Sequence, residues 1–246
     1  MVKKTKILGI KIDNLTVKQV FQRIDDFLKD GRQRYIVTPN PEFLVRAQKD
    51  KEFRQILNQA DLAVSDGTGV LFASWFLNQP LKQRITGTDL MEMICQRAPF
   101  KDWSIFLLGG RKMVSEKAAE NLKKKYPGLK IEPIDDSALD NPNIIPSTVS
   151  EKSSIDRTNI LFVALGTPKQ EKWIFKNLKE VKPIKLVIGV GGAFDFLAGR
   201  ISRAPRILRR VGLEWLWRLA CQPRRIKRIF KAVIIFPWLI IREAMR

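Results

Sequence analysis

Five loops in this 246-residue chain carry residue types suited to a charged, hydroxyl-bearing ligand, and each follows a short apolar run. Thr38-Pro-Asn40 follows Tyr35-Ile-Val, and Asp66-Gly-Thr-Gly69 follows Leu62-Ala-Val-Ser65. Gly109-Gly110 follows Phe106-Leu-Leu, Gly166-Thr-Pro-Lys-Gln170-Glu171 follows Phe162-Val-Ala-Leu, and Gly189-Val-Gly191-Gly192-Ala-Phe-Asp195 closes the last run. Glycine runs let the backbone approach a phosphate closely, and a helix N-terminus behind them presents N–H groups to an anion. Asp66 stands out among the carboxylates. At a strand end before a glycine-rich turn it is expected to be partly desolvated, with its pKa raised toward the range of a general base. Its other reading is as a cap for a helix beginning at Gly67. Asp195, similarly placed, suits ribose hydroxyls, or alternatively a cap or a pairing with arginine.

What is missing narrows the chemistry. There is no histidine, which removes imidazole bases, Ser-His-Asp triads and HExxH sites. Cys95 and Cys221 stand alone, so neither a disulfide nor a zinc site is expected. No Asp-x-Asp is present to hold a divalent ion on a diphosphate. Gly189-x-Gly191 is followed by Phe194 where a dinucleotide fingerprint needs its third glycine, and no G-x-x-x-x-G-K-[ST] occurs. A nucleotide site of another kind stays open, served by carboxylates, amides, hydroxyls, Arg and Lys, with no cofactor and no metal expected.

The elements that must position these loops alternate between short apolar runs and amphipathic stretches. Strands are predicted at Tyr35 to Thr38, Leu62 to Ser65, Trp103 to Leu108, Leu129 to Ile134, Asn159 to Leu165 and Lys185 to Val190. Helices are predicted at Pro41 to Leu57, Asp89 to Arg97, Val114 to Lys125 and Lys169 to Leu178. Continuous apolar strands separated by helices imply an α/β fold: a Rossmann-like, mostly parallel sheet with helices on both faces. Ligands of such sheets bind at the carboxyl ends of the strands. The stretch Asp135 to Thr158, rich in Asp, Ser, Asn and Pro, reads as a loop. A catalytic domain is expected over residues 1–199.

Residues 200–246 read differently. They hold thirteen Lys or Arg against Glu214 and Glu243, more than half of the chain's net charge of +20, interleaved with Trp, Leu and Ile. Such a stretch describes a basic amphipathic helical C-terminal appendage lying on an anionic membrane surface. The alternative is a helix packed on the core. Pro205, Pro223 and Pro237 are expected to cut it into short pieces, and the apolar run Ala232 to Ile241 is too short to span, since spanning takes about 20 residues. Nucleic-acid binding would also explain the charge, but the run Ile234-Ile-Phe-Pro-Trp-Leu-Ile-Ile241 argues against it. The basic N-terminus is not followed by an apolar signal region, so the expected location is cytoplasmic, peripheral on the inner face of the cell membrane.

Several longer blocks occur in order: Thr38-Pro-Asn40, Ser65-Asp66-Gly67-Thr-Gly69, Arg84-Ile-Thr-Gly87-Thr-Asp89, Leu165-Gly-Thr-Pro-Lys-Gln170-Glu-Lys-Trp173, Gly189-Val-Gly-Gly-Ala-Phe-Asp195, Arg203-Ala-Pro205 and Gly212-Leu-Glu214-Trp215. Together, over roughly residues 7–231, they resemble the WecG/TagA/CpsF glycosyltransferase family. The resemblance implies an inverting, metal-independent enzyme that moves a sugar from a UDP-sugar donor onto a polyprenol-diphosphate-linked GlcNAc acceptor. In the teichoic-acid branch that sugar is N-acetylmannosamine, going to the 4-hydroxyl of GlcNAc; other branches move N-acetylmannosaminuronic acid or glucose. On this reading Asp66 is the base, while Arg218, Arg224, Arg225 and Arg228 meet the charge on the departing diphosphate. Thr38, Asn40, Arg84 and Gln170 hold sugar, diphosphate or acceptor, and Gly109, Gly191, Gly192 and Asp195 serve the donor. Homo-oligomerisation is left open.

Overall fold

The computed structural model describes residues 3–111, 113–152 and 158–245. The strands among them, in chain order, are β1 (Lys4–Ile7), β2 (Ile10–Asp13), β3 (Arg34–Val37), β4 (Leu62–Ala63), β5 (Trp103–Gly109), β6 (Lys130–Ile134), β7 (Thr158–Ala164) and β8 (Ile184–Gly189). The chain divides into two compact units, one of Met1–Lys18, Thr38–Thr86 and Ile201–Arg246, the other of Gln19–Val37 and Gly87–Arg200. The segment beyond residue 200 therefore groups with two earlier stretches of chain.

The second unit carries the parallel sheet that the apolar runs predict. Its strands lie in the order β3-β8-β7-β5-β6, with every pairing parallel. Parallel neighbours need crossovers, supplied by Val114–Lys125 between β5 and β6, by Ile144–Lys152 between β6 and β7, and by Lys169–Asn177 between β7 and β8. The strands read as unbroken apolar runs because the sheet is buried: Phe106, Phe162, Leu161, Val187 and Ile188 are each at most 1% exposed. Asp135 to Thr158, expected as a loop, instead contains the short turn Asp136–Leu139 and the helix Ile144–Lys152. Ile145 and Val149, spaced four apart and buried, give that helix an inward face despite its polar composition.

The first unit opens with the antiparallel hairpin β1–β2. Leu8 and Gly9 at its turn both have positive φ, 49° and 78°, the backbone that matches the twist of a two-residue hairpin. This turn is clamped from three sides. Leu8 N donates to both carboxylate oxygens of Glu243 at 2.9 and 3.0 Å, while Leu8 O accepts from Gln48 Nε2 and Arg54 Nη2, each at 2.9 Å. The single helix expected from Pro41 to Leu57 is two, Pro41–Ala47 and Lys51–Gln59, because Asp50 turns outward to cap the second by accepting from Phe53 N at 2.9 Å. The helix Thr68–Phe76 answers to the helix beginning at Gly67 that entered the sequence reading only through the alternative role of Asp66.

The C-terminal segment forms Arg206–Arg210, Glu214–Cys221, the turn Pro223–Arg225, Ile226–Phe230, a wide π-turn over Lys231–Ile235 and the helix Phe236–Ala244. Pro205 and Pro223 break the path as expected, but Pro237 does not. It falls in the first turn of its helix, directly after the π-turn, where its missing N–H and its ring are accommodated. Phe236 and Ile240 are buried, Trp238 and Ile241 exposed, so this helix packs by one face and presents the other. No helix among the described residues is long and apolar enough to cross a membrane.

Phe162, wholly buried in β7, tests the core directly. Phe162→Ala should destabilise the protein by about 3–5 kcal/mol, read from denaturant unfolding.

Candidate active site

Three loops of the first unit are stitched together by backbone and hydroxyl contacts. Asp66 N donates to Pro39 O at 2.9 Å, Ser65 Oγ donates to Gln83 O at 2.8 Å, and Ile85 N donates to Ser65 O at 2.9 Å. Thr38, Asn40, Asp66 and Arg84 thereby sit on one framework. Thr38 is buried, whereas Asn40 is half-buried and its Oδ1 caps the helix Pro41–Ala47 by accepting from Phe43 N at 3.1 Å. Asp66 is half-buried and stands one residue before the cap position of the following helix, which is Gly67, with the helix beginning at Thr68. The glycines here answer to packing as well. A Cβ at Gly69 would stand 2.9 Å from Pro41 Cγ, and Gly67 has φ of +97°.

The C-terminal segment brings its arginines to this framework. Thr68 Oγ1 donates to Gly212 O at 3.3 Å, and a Cβ at Gly212 would meet the Thr68 side chain at 2.8 Å, so glycine allows the close approach. Two residues on, Glu214 reaches Arg84, Oε2 to Nη1 at 3.9 Å, with both side chains 19% exposed. Arg228 Nε donates to both oxygens of Glu42, at 2.8 and 2.9 Å. Arg218 is half-buried, with its Nε shut off from solvent. Burial pushes its pKa down from the ordinary guanidinium value; Glu214 and then Asp66 pull it back up, while Arg228 and Arg203 push it down again. A guanidinium stays charged through such shifts, so the cluster holds concentrated positive charge with Asp66 and Glu214 beside it. Arg224 is exposed and Arg225 half-buried on the turn Pro223–Arg225.

The other residues singled out from the sequence belong to the second unit. Gln170 is buried, and its Oε1 accepts from Gly166 N at 3.2 Å and from Gly191 N at 2.9 Å, while Nε2 donates to Glu171 Oε1 at 2.6 Å. One amide thus ties the loop after β7 to the loop after β8. Gly189 is glycine for the same reason: a Cβ there would fall 2.7 Å from Gln170 Nε2. Gly191 has φ of +54°, and Gly192 precedes the short helix Ala193–Leu197, which contains Asp195. Asp195 Oδ1 stands 3.9 Å from Arg200 Nη1, the arginine pairing foreseen as its second reading. Gly109 is buried, and its backbone hydrogen-bonds the carboxyl of Asp136, a bond that lowers a pKa raised mainly by burial.

Three participants were not assigned from the sequence. Glu42 follows Thr38-Pro-Asn40-Pro directly, Glu214 sits inside the Gly212-Leu-Glu-Trp block, and Arg203 opens the Arg-Ala-Pro block, so each was marked by its motif although its partner lies far off in the chain. Among the described residues no group of three or more His, Cys, Asp or Glu could hold a metal ion.

The chain has relatives of known name. A protein of Staphylococcus aureus (strain MRSA252), N-acetylglucosaminyldiphosphoundecaprenol N-acetyl-beta-D-mannosaminyltransferase, is 34% identical over 244 residues, covering 97% of this chain and 92% of its own length. Its namesake from strain NCTC 8325 / PS 47 shows the same identity and coverage. The sequence model of the glycosyl transferase WecG/TagA/CpsF family matches residues 5–246, and with that match and these relatives the chain belongs to this family of glycosyltransferases.

Proposed function

We propose that this enzyme transfers N-acetylmannosamine from UDP-N-acetylmannosamine to the 4-hydroxyl of GlcNAc-diphospho-undecaprenol, with inversion and without a metal, in the synthesis of a wall-teichoic-acid type surface polymer. The observation that carries the reading is Asp66 lying close enough to the half-buried Arg218 for its charge to act on that guanidinium. Single displacement needs one carboxylate to take the proton of the acceptor hydroxyl while UDP leaves from the opposite face of the sugar. Asp66 supplies that carboxylate. The leaving diphosphate develops charge that a metal would otherwise meet. Arg218 and Arg228 meet it instead, with Arg224 and Arg225 next to them in the chain and Arg84 held by Glu214.

The cluster has reason to welcome an anion. The guanidiniums of Arg228 and Arg203 both repel that of Arg218, and a diphosphate relieves that repulsion with charge-assisted and often bidentate hydrogen bonds. Thr38 and Asn40 serve the sugar and acceptor from the same framework. In the second unit Gln170 shapes the loops that carry Gly166 and Gly191, and Gly109, Gly192 and Asp195 serve the nucleoside side. The relatives' name supplies the acceptor class and the transferred sugar. A polyprenol acceptor requires the enzyme to work at a membrane surface, and the basic C-terminal segment fits a peripheral position on the inner face. Turnover by purified enzyme across a panel of UDP-sugars, with a short-chain GlcNAc-diphospho-lipid as acceptor, tests the assignment. Turnover with the uronic acid or glucose donor, but not with N-acetylmannosamine, would replace the donor.

Three results follow from this reading. Asp66→Asn should lower kcat by about 10²-fold, while UDP binding stays equal or tightens because a negative charge has left the arginine cluster. Near-normal turnover would remove Asp66 from the mechanism. Activity should survive excess EDTA; loss of activity with recovery on adding Mg²⁺ or Mn²⁺ would contradict the metal-independent leaving-group chemistry. Glu42→Gln should weaken the hold on Arg228 and cut kcat by about tenfold, a typical worth for a charge-assisted hydrogen bond, with the melting temperature little changed. Unaltered kcat in that variant would show that Arg228 needs no tether.

A further inference from the structure

The helix Thr68–Phe76 starts two residues after Asp66 and contains no charged residue. Val70, Ala73 and Ser74 are buried, whereas Phe72, Trp75 and Phe76 are 70%, 72% and 50% exposed. Positions spaced by three and four share one side of a helix, so three aromatic side chains form a single outward face. Soluble surfaces seldom leave such a face unused. Nothing in the chemistry assigned to Asp66 and the arginines employs it.

The surroundings identify what covers it. The final helix, Phe236–Ala244, lies beside the first turn of this one: a Cβ at Gly69 would stand 3.8 Å from the Phe236 ring. Its outward residues include Trp238 and Ile241, and the Arg242 guanidinium lies over the Trp238 ring, 5.7 Å from its centre. Tryptophan and arginine together suit the depth of lipid head groups, the ring among acyl carbonyls and the cation at phosphate. The one carboxylate of the final helix, Glu243, is bound to Leu8 N. The two helices thus offer aromatic and cationic groups to an anionic surface, whereas a second copy of a chain with net charge +20 would meet like charge.

We propose that Phe72, Trp75 and Phe76 form a membrane-insertion face on the helix that begins at the Asp66 loop, distinct from the basic C-terminal segment. The consequence rests on the proposed function: with these residues in an anionic bilayer, Asp66 at the other end of the helix is held on the order of 10 Å from them along the helix axis, near the depth at which an acceptor's diphosphate and sugar emerge.

The test uses the full chain with the triple variant Phe72→Ser, Trp75→Ser, Phe76→Ser and vesicles of phosphatidylcholine containing phosphatidylglycerol. Partition by co-sedimentation should fall at least about tenfold, since three aromatic side chains no longer leave water. Turnover on a short, soluble acceptor and the melting temperature should be unchanged. As a measurement independent of the triple variant's folding, brominated lipids should quench tryptophan emission of the unmodified protein more than that of Trp75→Phe. Equal partition of variant and parent, or equal quenching with and without Trp75, overturns the proposal. So does conversion of a dimer to a monomer in sedimentation velocity with partition unchanged, which would give the face to a second copy. If no UDP-sugar supports turnover yet partition still falls in the variant, the glycosyl-transfer reading fails and the lipid face stands.

Discussion

A half-buried guanidinium is the constraint on which the attachment of the C-terminal segment turns. Taking a charge such as that of Arg218 out of water costs several kcal/mol unless opposite charge and hydrogen bonds replace the hydration. Glu214, one turn earlier on the same helix, and Asp66, from the loop after β4, supply that opposite charge. Because Glu214 also faces Arg84, and Arg228 is held by Glu42, the C-terminal segment is bound to the earlier stretches by carboxylates rather than by apolar contact alone. Phe236, Ile240 and the Glu243 clamp on Leu8 complete that attachment at its far end. The segment is therefore a structural part of its unit. A role as detached anchor would not require Gly212 to meet Thr68 side by side.

The sheet was legible in the sequence because its strands are buried on both faces, so that β5, β7 and β8 read as unbroken apolar runs between amphipathic helices. What escaped notice was decided by contacts distant in the chain or by single side chains. Asp50 splits one expected helix by capping, and the pairings of Glu42 with Arg228 and of Glu214 with Arg84 join residues more than a hundred positions apart. The extent and outward face of the helix Thr68–Phe76 were obscured by its own composition. With aromatics outward and small residues inward, it lacks the polar outer stripe by which an amphipathic helix is recognised.

The site residues were legible by position and less so by role. The charges of Asp66 and Arg228 act on Arg218, Arg84 pairs with Glu214, and the cap position of the helix after Asp66 is held by Gly67. The glycines are different. Gly69, Gly189 and Gly212 each sit where a Cβ would collide with a neighbouring side chain, and Gly109 turns its backbone to Asp136. A glycine-rich loop at a strand end looks the same in sequence whether it cradles a phosphate or lets two parts of the protein touch. Gln170 shows the same ambiguity for a polar side chain, since its amide links the Gly166 and Gly191 loops.

Under the proposed function, metal-free departure of a diphosphate and attachment to an anionic membrane would place competing demands on one set of arginines, and the geometry offers a way to separate them. Arginine held at a lipid phosphate is not available to a leaving group. Arg218 is half-buried beside Glu214 and Arg228 is fixed by Glu42, so neither is free to follow head groups, whereas Arg224 and Arg242 stand exposed. Burial thus divides the basic residues into an inner set suited to a bound diphosphate and an outer set suited to lipid. The carboxylates that fix the inner set lower its net charge, which weakens its pull on lipid phosphate at long range while leaving donors directed at an anion that enters the cluster. On this argument Glu42 and Glu214 act for selectivity as much as for stability: under the proposed function they would keep the inner arginines from being captured by an anionic surface.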